Sequence, residues 1–179
     1  MLHQFLKTIF LTLLAVTFVQ TAAAQTQSSS ASQSKPPKSC SQPEFRQFDF
    51  WLGDWDVTVA GNAAGTNSIQ LILGDCVLLE NWTGAKGGAG KSFNLFNAAK
   101  GKWQQTWVDN SGNLLELYGE FKNGVMQLTG ENITNGKKTL QRITWHPQEK
   151  DKVRQHWEQS SDDGKTWNTA FDGLYTRKK

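Results

Sequence analysis

The chain has 179 residues, 20% of them charged, and a formal net charge of +3. That length suits one domain with a real core, and that charge is too small to argue for nucleic acid or an anionic membrane as partner. Eight tryptophans and sixteen glycines against four prolines, with repeated Asn-Gly pairs, favour an all-β domain over a helical one.

Residues 1–24 read as a signal peptide. Lys7 supplies the positive start, Ile9 to Val19 is apolar apart from Thr12 and Thr17, and Ala22-Ala23-Ala24 offers small residues to a signal peptidase. Cleavage is expected between Ala24 and Gln25. An uncleaved anchor is the other reading, but the apolar run is short for a bilayer span. No cysteine follows it to carry a lipid, so no stable membrane anchor is expected after cleavage. Residues 25–39, QTQSSSASQSKPPKS, are polar and low in complexity and are predicted to be a disordered linker. The folded domain is predicted over 40–179.

Export to an oxidising space, periplasmic or extracellular, gives the two cysteines a meaning. Cys40 and Cys76 are a candidate disulfide. The bridge would close a loop of about 37 residues and contribute roughly 4 kcal/mol on the chain-entropy model. Two unpaired small residues are the alternative. The C-x-x-C spacing of a redox or zinc site is absent.

Ser41-Gln42-Pro43-Glu44 fits a capping box, and Phe45, Phe48, Trp51 and Leu52 then recur at helical spacing. Gly53 fits a helix stop. From Trp55 the pattern alternates, with Trp55, Val57 and Val59 on one face and Asp54, Asp56 and Thr58 on the other. Further strands are predicted at 66–73, 76–82, 91–97, 102–108, 113–121, 125–132, 138–145, 152–159 and 165–177. Tight-turn signals separate them, among them Asn123-Gly124 and Asn135-Gly136. About ten strands at such spacing predict a single antiparallel up-and-down β-barrel with a short N-terminal helix, because closure removes two long edges.

Gly53-x-Trp55 on the first strand resembles the G-x-W of lipocalins and their relatives, the calycins. The resemblance implies a basic residue on the last strand against that tryptophan, and Arg177 is the matching residue. FDFWLGDWDV, ENWTG, SFN, WQQTWVDNSG, RITW and VRQHWEQSSDDGKTW are similar to a family of uncharacterised bacterial exported lipocalin-like proteins, over about 45–177. That likeness implies a barrel with an internal cavity for a small, often apolar ligand. Fold alone does not fix function.

Several strands alternate aromatic with amide residues. Trp103, Gln105 and Trp107 share one face, as do Ser92, Asn94 and Phe96, and Val153, Gln155 and Trp157. If these faces point inward, they build a cavity of indoles and amides that suits a sugar, an aromatic or an amphipathic molecule. The alternative is a filled core with internally satisfied amides. Trp82, Asn94, Gln105, Trp107, Arg142, Gln155 and Trp157 are the candidate ligand-binding residues. Glu80, Arg142 and Arg154 lie mid-strand. A buried carboxylate–guanidinium pair could anchor an anion, but the solvated face is the commoner place for such residues.

Ala85 to Ser92 nearly matches a phosphate-binding loop, but a strand and not a helix follows it, so a hairpin loop is expected. Ser160 to Trp167 fits an Asp-box hairpin, a turn-shaping motif. His156, mid-strand, is the one candidate haem ligand. With no C-x-x-C-H and no metal-ligand cluster, no cofactor is expected. The reading is a non-catalytic exported barrel with an unidentified small molecule as partner. The alternatives are an enzyme using Glu80 or His156 as acid or base, a haem binder, and an interaction module without a ligand.

Overall fold

Residue alternation becomes strand throughout. The computed structural model describes residues 40–134 and 136–179. The signal peptide and linker read from 1–39 lie outside the described residues. Two 3-10 turns, Pro43–Arg46 and Asp49–Trp51, lead into β1 (Gly53–Val59). Then follow β2 (Asn62–Ile72), β3 (Val77–Gly84), β4 (Ala89–Asn97), β5 (Lys102–Asp109) and β6 (Leu114–Lys122). The chain ends with β7 (Val125–Thr134), β8 (Lys137–Pro147), β9 (Lys152–Ser160) and β10 (Asn168–Arg177). Each strand pairs antiparallel with the next, and β1 also pairs with β10, so the sheet is a closed up-and-down barrel.

Two local expectations are corrected. The capping box does not form: Gln42, not Ser41, precedes the first turn, no side chain caps it, and Pro43 occupies its first position. The expected short N-terminal helix is present as two 3-10 turns, since so few residues cannot propagate an α-helix. Ring contacts hold them instead, Phe45 on Phe96 with centroids 5.3 Å apart and Phe48 on Trp145 at 5.1 Å. The last strand begins at Asn168 rather than Lys165, because the Asp-box claims the residues before it. Gly164 N donates to Ser160 Oγ at 2.8 Å, and Thr166 donates from N and Oγ1 to the Asp162 carboxylate at 2.9 and 2.6 Å. The Thr166 donors first, and Ser160 Oγ after them, hold the Asp162 carboxyl down at about 2.

One end of the barrel is plugged. Phe48 and Trp51 are fully buried there and stack at 5.0 Å. Trp55 Nε1 donates to the Trp51 carbonyl at 2.9 Å. Arg177 lies opposite Trp55 in the β1–β10 register, with its guanidinium 4.2 Å from the indole centroid. Its Nη1 donates to the Leu52 carbonyl at 2.7 Å and its Nε to Asp151 Oδ1 at 2.8 Å. Gly53 sits at φ +119°, and a Cβ there would lie 2.0 Å from Arg177 Nη1. The glycine is therefore fixed twice, by its backbone and by the guanidinium against it. A disulfide joins Cys40, before the first turn, to Cys76 in the β2–β3 turn, 36 residues apart.

The Gly53–Arg177 contact is testable by coupling. Arg177→Ala is expected to cost about 2 kcal/mol, from the charged hydrogen bond and the cation–π contact. Gly53→Ala should cost a similar amount by displacing the same guanidinium. Urea unfolding of the double variant should show a loss at least ~1 kcal/mol smaller than the sum of the two. Simple additivity would refute the contact.

Candidate functional site

Three inward faces set the site. β3 presents Leu78, Glu80 and Trp82; β5 presents Trp103, Gln105 and Trp107; β9 presents Val153, Gln155 and Trp157. Their outward neighbours include Phe93 and Val108 elsewhere on the sheet, both about half exposed. Each inward row runs from an apolar residue near the plug, through a polar one, to a tryptophan. The polar residue and the tryptophan of each row, with Tyr175 and Phe171 of β10, Leu115 of β6 and Ile143 of β8, line a cavity of about 170 Å³.

The polar layer is a continuous hydrogen-bonded chain. Asn67 Nδ2 donates to Glu80 Oε1 at 2.7 Å and Ser92 Oγ donates to Glu80 Oε2 at 2.5 Å. Asn94 Nδ2 donates to Ser92 Oγ, and Gln105 Nε2 donates to Asn94 Oδ1, both at 2.8 Å. On the other side the Tyr175 hydroxyl donates to Gln155 Oε1. Behind the rim, Trp157 Nε1 donates to Gln141 Oε1 at 2.8 Å, which fixes that indole.

Glycines seat the rim rings. A Cβ on Gly65 would come within 2.8 Å of the Trp82 ring, one on Gly90 within 2.2 Å of Trp107, and one on Gly173 within 2.4 Å of Phe171. These inward positions carry no side chain, so a ring lies over each and the space inside stays open.

Glu80 is the electrostatic centre. It is 3% exposed, and burial pushes its carboxyl up to about 7, against the smaller opposing pull of the Ser92 and Asn67 hydrogen bonds. Tyr175 is pushed well above its ordinary value by burial first and by the Glu80 charge second. Among the described residues no lysine, arginine or histidine lines the cavity.

The predicted site residues divide accordingly. Trp82, Gln105, Trp107, Gln155 and Trp157 line the cavity. Asn94 is fully buried behind it and reaches it through Gln105 and, by way of Ser92, through Glu80. Arg142 does not belong: Gln141, Ile143 and Trp145 take the inward face of β8, so Arg142 points out. There its Nε meets Glu158 Oε2 at 2.9 Å and its guanidinium lies 4.0 Å from the Trp167 ring centroid. Arg154 likewise forks onto Asp172 outside, at 2.7 and 2.8 Å. Glu80 reverses the expectation of a solvated face, and its partners are amide and hydroxyl groups rather than a guanidinium.

His156 shares the outer face of β9 with Arg154 and Glu158, where its ring meets Thr169 Oγ1 at 3.0 Å. It cannot ligate haem from inside the barrel. Among the described residues no cluster of three or more His, Cys, Asp or Glu could hold a metal ion. The glycine-rich stretch 84–88 is the β3–β4 hairpin turn, closed by Gly84 N donating to Gly88 O at 2.6 Å. β4 follows it, with no helix to face a phosphate.

Tyr175, Phe171, Leu115 and Ile143 line the cavity and were not among the predicted residues. A signal for two of them was present. Once Arg177 is placed beside Trp55, alternation turns Tyr175, Gly173 and Phe171 inward as well.

Glu80 gives a signed pH dependence. Its folded pKa, about 7, exceeds the ordinary 4.5. The native state therefore holds this proton more tightly, and stability is lost as pH rises from about 4.5 through 7. Between pH 5 and 8 the loss should be on the order of 2 kcal/mol. Glu80→Gln should remove that component while keeping others, such as the depressed His146, common to both proteins. Urea unfolding at the two pH values, compared between wild type and variant, checks it. Equal pH slopes would contradict the burial of the carboxyl.

No protein-family model and no curated protein matches the chain.

Proposed function

We propose that this is an exported, non-catalytic binding barrel that holds a small amphipathic or aromatic molecule, or a sugar, in its cavity. The observation that carries the reading is the cavity itself, with three indoles towards one end and a carboxyl–amide layer beneath. Apolar bulk with a few orienting polar groups is the usual make-up of a small-molecule site. The size restricts the occupant: a cavity of roughly 150 Å³ accommodates benzene, so about 170 Å³ suits one ring and its substituent. Export is supported by the Cys40–Cys76 disulfide, which fits a non-reducing space outside the cytoplasm, together with the signal-peptide pattern.

Catalysis is the second reading, and Glu80 is what favours it, because a buried acid with a raised pKa in a cleft is a frequent mark of an active site. Its hydroxyl partner Ser92 argues the other way. Ser92 is 1% exposed and does not line the cavity, so it cannot meet a substrate.

Benzyl alcohol, one ring with one polar group, is a suitable probe. Tryptophan emission should change saturably as it is added, and Trp107→Ala should weaken the binding about tenfold, as loss of one aromatic contact does. Native mass spectrometry of protein purified from its own compartment should show an added small mass. The binding reading is overturned if benzyl alcohol, benzylamine and benzoate all fail to produce a saturable change and no added mass is found.

A further inference from the structure

We propose that the cavity selects a small organic cation, a one-ring or similarly sized molecule whose ammonium or amidinium group is held beneath the indoles against Glu80. The inference rests on the binding reading and specifies the class of ligand.

Three observations carry it. First, among the described residues the lining holds one carboxyl group and no basic side chain. Glu80 is met by Asn67 and Ser92, which are neutral, so no protein cation balances it. The arginines of β8 and β9 are engaged outside by Glu158 and Asp172. Removing a carboxylate from water without an opposing charge is costly, and a ligand that brings the charge relieves that cost. Second, the upper walls are aromatic. Trp82, Trp107, Trp157 and Phe171 line the space above the carboxyl, with Trp82 and Phe171 packed edge to face at 6.1 Å. Aromatic walls attract a cation through their quadrupoles, most strongly where water is excluded. Third, the carbonyl oxygen of Asn67, the residue that holds Glu80, is buried without a donor. The layer thus carries unmet negative potential next to the carboxyl.

Binding of such a cation is coupled to a proton. The groups that face Glu80 are Asn67 on β2, Ser92 on β4, Gln105 on β5, Gln155 on β9 and Tyr175 on β10. Tyr175 alone among them titrates, and it stays neutral because its pKa is raised. A cation entering near neutral pH therefore releases the Glu80 proton to solvent, and the ammonium replaces it as partner of the carboxylate. An anionic ligand would meet the opposite: it would require Glu80 to stay protonated.

The test uses three probes of one shape and different charge: benzylamine as its ammonium ion, benzyl alcohol and benzoate, followed by tryptophan emission on the full mature chain. At pH 8 benzylammonium should bind at least tenfold more tightly than benzyl alcohol, and benzoate should be weakest. At pH 5.5, where Glu80 holds its proton, benzylammonium should bind about 30-fold more weakly than at pH 8, while benzyl alcohol should bind alike at both. Glu80→Gln should bring the two affinities together and abolish the pH dependence of benzylammonium binding. If that variant does not fold, the wild-type pH profile decides alone. Benzyl alcohol or benzoate binding as tightly as benzylammonium at pH 8 overturns the charge preference and leaves the binding barrel standing. A preference that survives Glu80→Gln overturns the role of that carboxylate. Absence of binding by all three overturns the cation inference, and the binding reading falls with it when native mass spectrometry also finds no added mass.

Discussion

The contact of Arg177 with Gly53 and Trp55 is the constraint from which the rest of the barrel follows. A ten-strand meander closes only where its first and last strands meet, and here one guanidinium spans that seam. It covers the Trp55 ring, takes the Leu52 carbonyl just before β1, and pairs with Asp151 from the β8–β9 turn. A one-residue slip of β10 would turn Arg177 outward and move its whole inward set to the solvent face. The register at the closed end therefore decides which side chains of β10 reach the cavity some distance along the strand.

Closure at one end and opening at the other are made from the same residue types. Near the plug, Phe48, Trp51, Trp103 and Trp145 fill the interior by packing ring against ring, at centroid distances of 5.0 to 5.5 Å. Towards the other end, Trp82, Trp107 and Phe171 lean onto inward glycines and line the wall. The difference lies in the partner. A ring facing another ring fills space, whereas a ring laid over a glycine leaves the space in front of it free. Gly65, Gly90 and Gly173 are thus as much a part of the cavity as the aromatics they seat.

Much of this was legible in the sequence, and the reasons are local. Alternation and Asn-Gly turns mark strands without any knowledge of the tertiary structure; Asn123 and Gly124 adopt the positive φ values, 52° and 82°, that a tight hairpin turn needs. Trp55 and Arg177 could be paired because a resemblance supplied their relation. The capping box was misread because the segment is held by rings and a disulfide, both tertiary, which override a local signal. Glu80 was misread for a statistical reason: a mid-strand glutamate is nearly always solvated, and what makes this one an exception is three strands of neighbours. Arg142 failed for want of parity. With Trp145 fixed inward, alternation excludes Arg142, but nothing local says which face Trp145 takes. The glycine seats depend on cross-strand registers that no single stretch contains.

Glu80 then calls for an energetic account. A carboxyl in this place lowers stability above neutral pH, where burial opposes its charge. It accepts from Asn67 on one oxygen and from Ser92 on the other, whereas an amide of the same shape has a single acceptor oxygen. The other buried polar groups of the layer are amides and hydroxyls, which hydrogen-bond to one another without charge. An acid among them can also become negative when something positive arrives. The barrel wall excludes competing protein cations from that position by turning Arg142 and Arg154 outward onto their own carboxylates. The same alternation that builds the cavity thus leaves its single acid unpaired, and it is the missing partner, rather than the cavity's shape, that most narrows the chemistry of what can enter.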